Sequence, residues 1–319
     1  MVFNRHARLI AGVLLSAWLG GCATPQTQAL LAAHSRPTPR VELAAVPFYP
    51  QEIHQCGPAS LAMALNAAGA VATPQGLAAQ VYLPGREGSL QVELLAATRR
   101  NGLLAYELAP KLDDLLAEVA GGTPVVVLQN LALSWYPVWH YAVVVGYDLD
   151  RGEIFLRSGR EQRQVLPFTT FEHTWERAGY WAMLALPPGR MPRSATEAAY
   201  VSAAIALEKA GQPKSAEAAY AAALDRWPRN LAARIGAGNT AYGRGDLSRA
   251  EQAFRQAALD HPDSAVAFNN LAQTLADRQK YREALAAANR AVGLGGPELA
   301  AATETLEQIG KKMLDRDSP

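Results

Sequence analysis

The chain has 319 residues, a formal net charge of +1, 18% charged residues and two cysteines. So even a balance supplies no basic footprint for nucleic acid, and no apolar run reaches the roughly 18 residues that a membrane-spanning helix needs. Two cysteines and scattered histidines offer no metal set, and there is no glycine-rich phosphate loop, so no metal, nucleotide or other cofactor is expected. The length suits two domains.

Residues 9–19 form a short apolar run behind Arg5, His6 and Arg8, the pattern of a secretory leader and too short for a spanning helix. The run ends in Leu19-Gly20-Gly21-Cys22, which resembles the bacterial lipobox. That resemblance implies cleavage before Cys22, acylation of Cys22, and attachment to the cell envelope by the lipid anchor alone. Ala23 is not the aspartate that commonly retains lipoproteins at the inner membrane, so the implied address is the periplasmic face of an outer membrane. After the leader, 1–22, residues 23–43 are rich in Pro, Gln, Thr, Ala and Ser without periodicity and read as a flexible tether. One thiol, Cys56, is then left without a disulfide partner in an oxidising compartment, which invites a chemical role.

A first domain is expected over 44–190. Extended residues 46–50 lead to Cys56-Gly57-Pro58, where proline suits the first turn of a helix because its missing N–H is not needed there. The helix that follows is apolar almost all round and should be buried. Its N-terminal dipole would favour a Cys56 thiolate. Thr73 and Ser89 read as N-caps of helices 74–82 and 90–100. A strand over 103–108 and a helix over 111–120, stopped by Gly121-Gly122, come next. Residues 124–128 and 139–147 read as buried strands from their β-branched content. Residues 153–157 return as a hairpin partner, and 162–166 and 180–186 offer two more strands around a short helix near 169–177. Helices first and an antiparallel sheet afterwards make an α+β domain.

Beyond the boundary at 187–194, the chain is helical with a 34-residue period: 197–230, 231–264 and 265–298. Small residues recur in register at Ala216, Ala250 and Ala284 and at Ala223, Ala257 and Ala291; Pro228 and Pro262 close the first two units. This is similar to the tetratricopeptide repeat, an all-α solenoid, with a closing helix over 299–314 and a second domain spanning 194–316. Such arrays present a surface for a protein partner.

A thiol nucleophile needs a base, usually a histidine from elsewhere in the chain. His34 lies in the tether, His261 in the repeats, His173 in a short polar helix, and His54 too near Cys56. His140, opening a strand where a ring can be held facing the central helix, is the candidate. Trp135, Tyr136 and Trp139 could wall a peptide cleft or simply pack.

Gln51, Cys56-Gly57-Pro58-Ala59-Ser60-Leu61 and, 84 residues after the cysteine, His140-Tyr141-Ala142-Val143-Val144-Val145-Gly146 resemble the bacteriocin-processing, double-glycine cysteine peptidases, a papain-like family known as peptidase family C thirty-nine. The resemblance implies Cys56 as nucleophile, His140 as general base and acid, and the Gln51 amide, with the Cys56 N–H, as oxyanion donors. Gln51 stands five residues before the cysteine, where the family has six, and is preferred to the adjacent Gln55. The family's third residue, an acid or amide that orients the imidazole, is replaced here by Ser158.

The sequence thus predicts a lipid-anchored envelope cysteine peptidase acting through a thioester on a peptide or protein substrate. The rival reading is a peptidase-like binding or scaffold protein that works through its repeats, with Ser158 as its best support.

Overall fold

A computed structural model describes residues 23–33, 38–51 and 55–317; the leader with Cys22, and with it His34 and His54, lies outside the described residues. The body begins at once. Helix α1 (Pro25–Ala32) buries Thr27 and Leu30, and strand β1 (Arg40–Glu42) joins the main sheet. Much of the stretch read as tether is therefore ordered structure: Glu172 carboxylate oxygens accept from the backbone N–H of Gln26 and Thr27, at 3.0 and 2.7 Å, and fix α1 to the body.

The central helix α2 (Cys56–Ala67) is buried from Gly57 to Leu65, as its apolar circumference requires. Helix α3 (Pro74–Val81) follows, with Thr73 capping it by accepting from Gly76 N–H at 3.1 Å. Strands β2 (Tyr82–Leu83) and β3 (Gly88–Ser89) pair as a small hairpin, then come α4 (Gln91–Arg100), β4 (Leu104–Glu107) and α5 (Leu112–Ala120). Ser89, read as a cap, belongs to that hairpin; Leu90 occupies the N-cap position without a side-chain bond. Strands β5 (Val125–Asn130), β6 (Trp139–Asp148), β7 (Glu153–Ser158) and β8 (Glu161–Pro167) form a meander, closed by α6 (Phe168–Glu176) and β9 (Ala182–Leu186).

The sheet runs β4-β9-β5-β6-β7-β8, antiparallel throughout, and β1 pairs with the end of β6 that β5 leaves free. Gly146 is required there: a Cβ would collide with the Val41 carbonyl and come within 2.9 Å of the Phe155 ring. Alternation gives each face its own core. Val126, Leu128, Tyr141, Val143, Val145 and Met183 pack with α2, α3 and α4. Val127, Ala142, Val144, Leu156 and Leu184 pack with α5 and α6 on the other side. The result is a three-layer α+β domain.

The remaining helices pair in sequence: α7 (Glu197–Lys209) with α8 (Pro213–Arg226), α9 (Leu231–Gly243) with α10 (Leu247–Asp260), and α11 (Ala265–Asp277) with α12 (Tyr281–Leu294), closed by α13 (Leu299–Asp317). The small residues sit where helices cross. Ala216, Ala250 and Ala284 are fully buried, and a Cβ on Gly238 would collide with the Phe254 ring. The first pair is not an independent body. Tyr200, Leu207 and Tyr220 share one core with Leu104 and Leu186 of the sheet. Buried Glu118 of α5 locks the joint by accepting from both Ser194 N–H and Ser194 Oγ–H at 2.7 Å.

Candidate active site

At the head of α2, Cys56 lines a cleft of about 960 Å³ together with Gln51, His140 and Gly159. One wall is the β2–β3 hairpin, with Arg86 and Ser89; the other is Tyr136 to Trp139, the approach to β6. Gly57 lets the hairpin close over the helix start, since a Cβ there would lie 2.5 Å from Ser89 Oγ. Ser89 Oγ is buried without a hydrogen-bond partner, and its carbonyl accepts from Tyr141 Oη–H at 3.3 Å.

His140 and Ser158 meet directly, Nε2 to Oγ at 2.9 Å, across neighbouring strands. Ser158 is buried and His140 half-buried, so this contact is partly shielded from water. The bond engages Nε2 and leaves Nδ1 as the ring nitrogen for proton exchange. Strand alternation sets His140 in phase with Ala142 and Val144, whose side chains face away from α2. The residue stands near the start of β6 and lines the cleft that Cys56 reaches from the head of α2. Among the described residues no hydrogen bond joins Cys56 to His140; they share the lining of one cleft. Catalytic contacts are commonly loose in the absence of substrate.

Burial raises the Cys56 thiol above its ordinary range, although backbone N–H groups of Tyr141, Gly57 and Cys56 itself pull it down. Burial also lowers the His140 imidazole below its ordinary range. Both shifts favour neutral forms. Desolvation of the half-buried sulfur thus works against the thiolate that the helix N-terminus favours.

Gln51 is pinned from several sides. Its Nε2 donates to Ser60 Oγ at 3.2 Å and to the Tyr141 carbonyl at 3.3 Å, and its Oε1 accepts from Gly159 N–H at 3.0 Å. Its own backbone N–H donates to the Gly159 carbonyl at 2.9 Å. The amide thus ties the approach to α2, the helix and the β7–β8 turn beside Ser158. Donation to an oxyanion would require Nε2 to release one of these acceptors. Gln55 lines a separate hollow of about 320 Å³ beside Tyr49 and Thr73, away from the cysteine cleft. Arg157, buried next to Ser158, donates to the Ala44 and Val46 carbonyls at 3.4 Å and to that of Gln162, holding the segment that leads to Gln51. Sequence reasoning missed Ser89, Leu128, Gly159 and Ala178 as lining residues. They reach the cleft from the β2–β3 hairpin, β5, the β7–β8 turn and the turn after α6, so tertiary packing and not local pattern brings them there. No group of three or more His, Cys, Asp and Glu side chains suited to a metal ion occurs among the described residues.

Residues 43–183 match the model of the Peptidase_C39 like family, and residues 207–268 match that of the tetratricopeptide repeat. Among solved structures, a C39-like peptidase from Bacillus anthracis aligns over 46% of this chain and 97% of its own, at 21% identity and a TM-score of 0.38. The Sgt2 TPR domain from Aspergillus fumigatus aligns over 39% of this chain and 82% of its own, at 18% identity and a TM-score of 0.36. The type III secretion translocator chaperone SycD from Yersinia enterocolitica aligns over 36% and 83%, at 18% identity and 0.34. No curated protein matches the chain.

Proposed function

We propose that this chain, whose residues 43–183 form a Peptidase_C39-like domain followed by tetratricopeptide repeats, is a cysteine peptidase anchored to the cell envelope by lipid at Cys22. One observation carries the reading: a thiol at a helix start and a histidine paired with Ser158 converge on a single cleft.

The reaction would start from the neutral pair. As Cys56 Sγ attacks the peptide carbonyl, His140 Nδ1 takes the thiol proton, a C–S bond forms, and the carbonyl oxygen becomes an oxyanion. The Cys56 N–H, joined by Gln51 Nε2 once it gives up an acceptor, would stabilise that charge. Collapse breaks the C–N bond, and the imidazolium returns its proton to the leaving amine. Water then attacks the thioester with His140 as base, releasing the acid and regenerating the thiol. Ser158 Oγ, accepting from Nε2–H, would hold the ring and the tautomer, though it opposes the imidazolium charge less than a carboxylate would. The repeats would dock the substrate or a protein partner.

A second reading, a peptidase-like binding protein without turnover, is favoured by the full commitment of the Gln51 amide to protein acceptors. Digestion of a peptide library by purified protein decides between them. Cleavage that Cys56→Ala abolishes supports the peptidase; cleavage equal in both, or none from either, refutes it.

A further inference from the structure

Residues 131–138, between β5 and β6, contain no charged side chain. Leu131, Leu133 and Trp135 are 50%, 54% and 80% exposed, and Tyr136 and Val138 beside them are also exposed. Apolar side chains this dense normally collapse, but here the backbone prevents it. Buried Asn130 accepts on Oδ1 from the N–H groups of Ala132 and Val138, at 3.1 and 3.0 Å, and donates from Nδ2 to the Leu133 carbonyl at 3.3 Å. Leu131 N–H donates to the Val138 carbonyl at 2.9 Å, and Tyr136 N–H to that of Leu133 at 3.0 Å. A held loop that shows leucine and tryptophan to the outside marks an interaction surface.

The occupant follows from where the anchor emerges. α1 starts at Pro25 and is fixed through Gln26 and Thr27 to Glu172 on α6. Ala23 and Thr24 alone separate it from Cys22, a leash of at most about 10 Å. Five residues further along α6, about 7.5 Å of helix, Arg177 Nε and Nη2 donate to the Asn130 carbonyl at the base of the loop. Anchor and apolar loop are therefore both tied to one short helix, the first at its middle and the second just past its end. A body on so short a leash lies against the bilayer, and Trp and Tyr are the side chains that settle at its interface.

We propose that the loop 131–138 is a second membrane contact, seating its Leu131, Leu133 and Trp135 side chains in the lipid interface and so fixing the cleft, which it borders, at the membrane surface. This rests on the anchored reading of Cys22 and is independent of peptidase activity.

The test uses the mature acylated protein in phosphatidylcholine vesicles with brominated acyl chains, which quench tryptophan at interfacial depth. Mass spectrometry of Cys22 reports acylation separately. The expected result is quenching of which Trp135→Phe removes at least half, and which Leu133→Asp also removes with an unchanged circular dichroism spectrum. Cys56→Ala should be quenched like wild type. Acylated protein whose fluorescence ignores the brominated lipid overturns the loop contact and leaves the anchor standing; an unmodified Cys22 with no quenching overturns both. Concentration-dependent dimers that Leu133→Asp dissolves would assign the loop to a second copy and also overturn the proposal.

Discussion

Replacing Ser158 by aspartate tests the geometry of the site with or without turnover. Ser158 Oγ lies 2.9 Å from His140 Nε2, and burial holds the imidazole below its ordinary value of 6.5. A carboxylate in that place would face an imidazolium at contact distance, and an opposite charge this close raises a histidine by about one to three pH units. The sign fixes the stability profile as well. In the wild type the unfolded chain takes up the proton first, so stability falls as pH drops from about 6.5 toward the folded value. In Ser158→Asp the folded state binds the proton first, and this contribution instead falls as pH rises through the raised value. NMR titration of labelled His140 measures the first effect, and thermal melts across the same range measure the second. Ser158→Ala supplies the control: it removes one hydrogen bond, about 1 kcal/mol, without adding charge. A His140 titration that is the same in Ser158→Asp as in wild type would refute the contact and the account of how the ring is oriented.

The raised Cys56 thiol predicts that alkylation by iodoacetamide is slow at neutral pH in the free protein, with its inflection above the ordinary thiol range; an inflection near pH 7 would contradict desolvation as the dominant influence on the sulfur. Gly57→Ala sets a Cβ 2.5 Å from Ser89 Oγ, so it should lower stability by about 1–3 kcal/mol in denaturant titrations and impair cleavage by displacing the hairpin wall. Glu118→Ala removes both carboxylate hydrogen bonds from half-buried Ser194, which should cost about 1–3 kcal/mol and make the joint between sheet domain and repeats more protease-sensitive.

Much of this architecture is legible in the sequence because it is written in local patterns. The Cys-Gly-Pro start of α2, the β-branched run of β6 and the repeated alanines each mark a structure that short-range physics selects. The register of the repeats follows from places where only a small side chain fits, as Gly238 against Phe254 shows. What stays hidden depends on partners far along the chain. Strand β1 is three residues whose only signal is the β6 edge it completes, and α1 lacks amphipathic patterning because Glu172 holds it through its backbone. The proximity of Ser158 to His140 follows from the family resemblance, but their bond depends on the pairing of β6 with β7, which no local pattern fixes. The desolvation that works against a thiolate is not legible locally, because the dipole is a property of α2 whereas burial comes from the hairpin and β6 around it.

The most direct test of the central claim is an acid-quenched digestion of a peptide ester or amide, followed by intact-mass analysis. The account predicts a thioester adduct of the acyl half of the substrate on Cys56, absent in Cys56→Ala and strongly reduced in His140→Ala. Cleavage that proceeds without such an adduct, or that survives Cys56→Ala, would contradict it.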